Sequence, residues 1–116
     1  GGFFMKLVNK LLLPVLVISS LAGCKAQVAK YTIDSSVMYF EDGHQCAKYN
    51  VICDKNLDEQ NLARIYKNIL INQDDGLYAH TIDFYSSEDR IDDGTYDIAE
   101  IVEGNGNDYQ FFKAEK

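Results

Sequence analysis

Hydrophobic and polar positions divide the 116-residue chain into a leader with one apolar run and a remainder of short segments. In the remainder, residues 37–41 and 49–53 are rich in aromatic and β-branched side chains, which is typical of strands. Residues 77–85 alternate between apolar and polar, which predicts a third strand. Two further segments, at about 96–103 and 107–113, predict a closing hairpin.

One segment has a helical pattern. Four apolar residues follow the i, i+3, i+4, i+7 spacing of a single helix face: Leu62, Ile65, Tyr66 and Ile69. Asn56 is in place for an N-cap, with Glu59 three residues later as in a capping box. The turn sequence after Asn72 ends the pattern, so we predict a helix over residues 56–71 whose apolar stripe packs on a sheet.

These elements predict an α+β fold in the order ββαβββ, with one helix packed on an antiparallel or mixed sheet of about five strands. Turns are expected at Asp42-Gly43, Asp75-Gly76 and Asp93-Gly94, because glycine adopts positive φ freely and Asp bonds to nearby backbone. In the last hairpin we favour the register that pairs Ile101 with Tyr109 across a loop of residues 104–106, because it matches apolar with apolar side chains.

The leader has the layout of an export signal. Residues 5–23 carry Lys6 and Lys10, then a short apolar run, and contain no acidic residue. The run is too short for a membrane span, which needs about 20 apolar residues. It ends in Leu21-Ala22-Gly23-Cys24, which resembles the lipobox of bacterial lipoproteins.

This resemblance implies diacylglycerol transfer to the Cys24 thiol, cleavage before Cys24 and acylation of the new amino terminus. Two or more acyl chains hold a protein firmly on a membrane, whereas one does so only marginally. In this family an aspartate after the cysteine favours the inner membrane, and the chain has Lys25 there. We therefore expect an outer-membrane lipid anchor facing the periplasm.

The predicted division of the chain follows from the leader. Residues 1–4 precede Met5 and are interpreted as left by cloning or as a misplaced start, and residues 5–23 as the signal peptide. Residues 24–35 are expected to form a lipidated tether, and residues 36–116 a single small domain.

The charge of the part after the leader is strongly acidic. All 18 acidic residues follow Cys24, and nine of the 11 Lys and Arg residues remain there, which gives a net charge of −9. This balance argues against binding to nucleic acid, which needs a basic surface. It favours an unknown protein partner that is itself basic.

Cys46 and Cys53 remain once Cys24 is assigned to lipid. In an oxidising compartment the default for such a pair is a disulfide, which we predict here. The alternative is a metal site made by His44, Cys46 and Cys53 with Glu41 or Asp42, although this spacing does not match the usual zinc patterns.

Two further features have both a structural and a functional interpretation. His80 lies on the apolar face of the third strand, where we expect a buried, hydrogen-bonded histidine or alternatively a pH sensor. The acidic run from Glu88 to Asp93 is interpreted as a solvated loop, with calcium binding as the alternative.

The sequence assigns no catalytic set, no metal and no cofactor. The first functional hypothesis is a non-enzymatic binding module of the cell envelope, anchored to the membrane through Cys24. The second is a periplasmic inhibitor of a basic hydrolase such as lysozyme. The third is a calcium-dependent module or a small enzyme.

Overall fold

A computed structural model describes residues 27–104 and 108–115 of the chain. The predicted signal peptide, the lipobox-like motif with Cys24, and the centre of the last predicted loop lie outside these residues. The described elements are β1 (Tyr31–Glu41), β2 (His44–Cys53), α1 (Glu59–Gln73), β3 (Ala79–Tyr85), α2 (Glu88–Asp93), β4 (Ala99–Glu103) and β5 (Tyr109–Lys113).

The five strands form one mixed sheet in the order β1-β2-β3-β4-β5, which confirms the α+β class and the strand number. Three neighbouring pairs are antiparallel, and β2 and β3 are parallel. Two adjacent parallel strands need a crossover connection, and α1 provides it. The element order differs from the predicted one because a second, short helix separates β3 from β4.

That second helix corrects the interpretation of the acidic run as a loop. Ser87 precedes α2, and Gly94 ends it in the left-handed conformation with φ 84°. Glycine adopts this conformation without the steric cost that a side chain brings. The acidic side chains of α2 are exposed to solvent, so the predicted exposure was right and the predicted absence of helix was wrong.

The main helix begins later than predicted. Asp58 is the N-cap, with its Oδ1 accepting from the backbone N–H of Asn61 at 3.0 Å and from the Asn61 side-chain amide at 2.8 Å. The backbone N–H of Asn56 instead donates to Asp54 Oδ1 at 2.8 Å, in a turn before the helix. At the other end Asp74 adopts a left-handed conformation and closes α1.

The first strand also begins earlier than the predicted boundary at residue 36. It begins at Tyr31, within the stretch predicted as the tether, and a bulge between Ile33 and Ser35 accommodates one extra residue. The predicted turn at Asp42-Gly43 is confirmed. Both residues have positive φ, as a two-residue hairpin turn of type I′ requires.

The core lies between α1 and one face of the sheet, which we call the core face. The predicted helix stripe is buried there against alternate residues of β2, β3 and β4. The main contributors are Ala47, Tyr49, Val51, Leu62, Ile65, Tyr66, Ile69, Ile82, Phe84, Ala99 and Ile101. The opposite face of the sheet is called the second face.

The register of the last hairpin differs from the one we favoured. The structure pairs Ile101 with Phe111 and Glu103 with Tyr109, which is a shift of two residues. A shift of two leaves each side chain on the same face, whereas a shift of one would reverse them. Ile101 and Phe111 therefore still face the core, although their predicted cross-strand partners were wrong.

Candidate functional site

The segment before β1, which is predicted to belong to a tether, and the first turn lie at opposite ends of the sheet. Residues 27–30 lead into β1 beside the end of β2, where Tyr31 pairs with Cys53. The other end of β1 is the turn where Glu41 pairs with His44. An 11-residue strand is about 33 Å long at the usual rise. We call the turn end of the sheet the distal end, since it is far from the tether.

Exposed hydrophobic side chains are concentrated at the distal end. Of the four large ones that are exposed in the described part of the chain, three are there: Phe40 (67% exposed), Ile71 (73%) and Tyr78 (64%). The fourth, Phe112, is 42% exposed on β5. Exposed hydrophobic residues that share one end of a fold are candidates for an interaction surface.

Tyr78 is fixed in position by two contacts with β2. Its ring stacks on the imidazole of His44, with ring centroids 3.9 Å apart and 11° between the planes. Its backbone N–H donates to the Gln45 carbonyl at 2.9 Å. We refer to Phe40, His44, Ile71 and Tyr78 together as the aromatic tip.

The loop that presents Tyr78 is held by Asp75. The Tyr49 hydroxyl donates to Asp75 Oδ2 at 2.6 Å, the Leu77 backbone N–H donates to Oδ1 at 3.0 Å, and His80 Nε2 lies 2.8 Å from Oδ1. Burial acts to raise the pKa of Asp75, but these hydrogen bonds outweigh it and the net pKa is lowered. Asp75 therefore acts as an ionised clamp between α1 and the sheet.

His80 links this clamp to β4. Its Nδ1 lies 2.7 Å from Glu103 Oε1, so the ring bridges two carboxylates. Because a carboxylate only accepts hydrogen bonds, both contacts form together when each ring nitrogen carries a proton. The prediction of a buried, hydrogen-bonded histidine on the apolar face is confirmed. Its partners come from other elements, and the sequence pattern gave no signal for them.

The distal end is acidic. Four described segments form it, and none of them contains Lys or Arg: residues 38–47, 70–80, 101–104 and 108–110. Their acidic residues are Glu41, Asp42, Asp74, Asp75, Glu103 and Asp108. A hydrophobic patch surrounded by acids attracts a basic surface and repels an acidic one.

The predicted disulfide is not present. Cys46 and Cys53 are both free and buried, and both belong to β2. The two cysteines are seven positions apart in an extended strand, so their Cα atoms are about 23 Å apart. A disulfide needs a Cα–Cα distance of roughly 4–7 Å. Their odd separation also puts them on opposite faces of the sheet. The prediction assumed a loop between them and was wrong because this segment is a strand.

Both thiols are held in their protonated form. Burial, followed by the charges of Asp54 and Asp97, raises the pKa of Cys53 to about 12. Burial and then the Glu41 charge raise the pKa of Cys46. A thiol is nucleophilic and binds metal as the thiolate, so this arrangement suits neither role.

The structure separates the residues of the predicted metal alternative. His44, Cys46, Glu41 and Asp42 lie at the distal end, while Cys53 lies at the tether end. Within residues 27–104 and 108–115, no group of three or more His, Cys, Asp or Glu side chains is arranged to hold a metal ion. This statement includes the acidic side chains of α2.

A cleft of about 790 Å³ lies at the tether end, beside the start of α1. Its apolar residues include Leu57, Leu62 and Phe111. Its charged residues are of both signs, and Arg90 pairs with Asp97 at 3.6 Å. None of the four exposed large hydrophobic side chains lines the cleft, so it gives a weaker indication of a partner than the aromatic tip does.

No protein-family profile matches the sequence. No match was found among curated proteins. No match was found among solved structures. In the described ranges, none of the helices is long and apolar enough to span a membrane.

Proposed function

We propose that this protein is a lipid-anchored module of the cell envelope that binds a basic protein through its aromatic tip. The observation that carries the proposal is the position of Phe40, Ile71 and Tyr78, which are exposed at the end of the sheet farthest from the tether. A chain anchored at Cys24 would present this end away from the membrane surface.

The chemistry of the tip supports a protein partner of basic character. Aromatic side chains are enriched at the centres of protein interfaces and acids are depleted there, which fits an aromatic centre with acids around it. A partner carrying Lys or Arg at its rim would gain faster association with the acidic end. The rigid mounting of Tyr78 on His44 and Asp75 reduces the entropy that ordering it on binding would cost.

The anchor is tested by labelling cells with a fatty-acid analogue. We expect label on the wild-type chain and none on Cys24→Ala, which should also leave the membrane fraction. A Cys24→Ala variant that stays with the membrane would contradict the lipid anchor. The resemblance of Leu21-Ala22-Gly23-Cys24 to a lipobox is the basis of this part of the proposal.

The binding surface is tested by placing a photo-crosslinking amino acid at position 78 and, as a matched control, at position 112. Both native side chains are large, hydrophobic and exposed, but Phe112 lies on β5 and outside the tip. We expect a discrete adduct with a basic protein from position 78 in intact cells. Equal adducts from both positions, or none from position 78, would argue against the tip.

A narrower version of the proposal is inhibition of a basic hydrolase such as lysozyme. The lack of Lys and Arg in the distal segments favours it, because a basic enzyme would meet six acids there. We expect inhibition by micromolar Cys24→Ser protein to be lost in Tyr78→Ala and retained in Phe112→Ala. Full lysozyme activity in the presence of the Cys24→Ser protein with no further substitution would contradict this version of the proposal.

A further inference from the structure

A row of polar side chains crosses the second face of the sheet. The strand register places Ser35, Asn50, Asp83 and Glu100 side by side on four neighbouring strands. Ser35, Asn50 and Asp83 are buried. Burial of polar groups is unfavourable unless their hydrogen bonds are made. The hydrogen-bond partners of these side chains therefore indicate whether the row is purely structural or binds a ligand.

Two acceptor atoms in the row have no partner among the described residues. The Asn50 amide donates to Ser35 Oγ at 3.0 Å, which leaves Asn50 Oδ1 without a donor. Asp83 Oδ1 is likewise buried and unpaired. The nearest cation is Lys48, whose Nζ lies 3.3 Å from Asp83 Oδ2 and whose side chain is 39% exposed.

Glu100 on β4 is the neighbour of Asp83 in this row. Burial, then hydrogen bonding to Asp83 and repulsion by its charge, raises the pKa of Glu100 to about 7, and Lys48 opposes the shift. Near neutral pH Glu100 is therefore partly protonated. Asp83 Oδ1 and Asn50 Oδ1 both remain without a hydrogen-bond partner among the described residues.

We propose that Asn50, Asp83 and Glu100 form a binding site for a primary ammonium or guanidinium group, and that Lys48 occupies it in the free protein. An ammonium or guanidinium group carries several N–H donors and no acceptor. Asn50 Oδ1 and the two carboxyl groups present only acceptors once Glu100 has lost its proton. Lys48 contacts one oxygen of Asp83. An incoming cation that also donates to Asn50 Oδ1 would form more hydrogen bonds in the site than Lys48 does.

Binding at this site is coupled to a proton. A cation beside Asp83 and Glu100 favours the ionised form of Glu100, so the Glu100 proton passes to solvent when the cation binds. The other groups whose charges interact with the pair are Tyr85 on β3 and Tyr96 before β4, each with a raised pKa. These phenols stay neutral near pH 7, so the carboxyl pair sets the pH dependence.

The test uses full-length Cys24→Ser protein, labelled with ¹⁵N and titrated with n-butylammonium and n-butylguanidinium chloride. We expect saturable shifts of the Asn50 side-chain amide, and a dissociation constant that falls about tenfold per pH unit below pH 7 and levels off above it. Tetramethylammonium chloride, which has no N–H donor, is the control for ionic strength.

Three variants identify the site. We expect Asp83→Asn to abolish binding, Glu100→Gln to weaken it and remove its pH dependence, and Lys48→Gln to strengthen it. Glu41→Gln, an exposed carboxyl at the distal end, should change none of these. Glu100→Gln keeps the shape of the side chain and a hydrogen-bond donor toward Asp83. If Asp83→Asn does not fold, Glu100→Gln is the variant that tests the site.

The source of the cation is separated by two further probes. Stronger binding of spermidine than of a lysine-containing tripeptide would indicate a free polyamine, and the reverse would indicate a basic protein side chain. An Asn50 amide that does not shift, shifts equally with tetramethylammonium, or shifts equally in Asp83→Asn would overturn the site. None of these residues belongs to the aromatic tip, so this result is independent of the proposed function.

Discussion

Replacing Glu100 with Gln should make the folded protein more stable at high pH and leave it unchanged at low pH. The pKa of Glu100 is raised in the fold from 4.5 to about 7 by burial and by Asp83. The native state therefore binds a proton more tightly than the unfolded state. The stability that this proton confers is fully present below pH 4.5 and is lost as pH rises through about 7.

The size of the effect follows from the shift. A rise in pKa from 4.5 to about 7 corresponds to about 3 kcal/mol of unfolding free energy. Because Glu100 is partly exposed to solvent, we expect a measured difference on the order of 2 kcal/mol. Glutamine keeps an N–H donor toward Asp83 at every pH and cannot become charged. The variant should therefore equal the wild type at pH 4 and below and exceed it near pH 8 by about 2 kcal/mol.

Urea denaturation of the Cys24→Ser chain at several pH values measures this difference. The chain has eight tyrosines and no tryptophan, so near-ultraviolet circular dichroism of tyrosine is the suitable signal. Other groups also titrate in this range, but they are common to both proteins and cancel in the comparison. Glu41→Gln is the exposed control. Parallel pH profiles for wild type and Glu100→Gln would refute the raised pKa of Glu100.

Four further outcomes are expected. Asp75→Asn should lower stability above about pH 4 and lose its effect in acid, because the lowered pKa of Asp75 stabilises the fold only while the group is ionised; urea titrations at several pH values check this. In Cys24→Ser protein a thiol reagent should find no fast-reacting group when folded and two when unfolded; fewer than two in unfolded, unreduced protein would indicate a disulfide. Leu62→Ala should cost about 3 kcal/mol of unfolding free energy, because it leaves a cavity in the core. Asp58→Ala should reduce helix content and the melting temperature, whereas Asn56→Ala should not; the reverse would restore the cap predicted from sequence.

Local patterns predicted the fold well where one residue type decides the geometry. The stripe through Leu62 and Ile69 predicted which helix face is buried, and Asp42-Gly43 predicted a turn that needs positive φ twice. The start of the helix was harder to predict because Asn56 and Asp58 are both good N-cap residues. The choice between them depends on the preceding turn, in which the Asn56 backbone N–H donates to Asp54 Oδ1.

The disulfide was mispredicted for a different reason. Pairing Cys46 with Cys53 treated the intervening residues as a loop, although the same stretch was predicted to become a strand from Tyr49 onward. Extending that strand back to His44 makes the pairing geometrically impossible, because extended backbone separates its ends. The spacing of the two cysteines alone does not contain this information, because the same intervening residues can form either a loop or a strand.

The polar sites depend on which strands become neighbours, and this is what the sequence pattern leaves open. Alternation placed Asp83 on the face opposite Ile82, but its meeting with Glu100 requires β4 to lie beside β3 in one particular register. A slip of two residues would keep every core residue on the core face and still separate the two carboxyl groups. Burial of hydrophobic residues therefore does not distinguish these registers. Within the polar row, the acceptor that remains unpaired on Asn50 is the feature that favours a bound cation over a purely structural role.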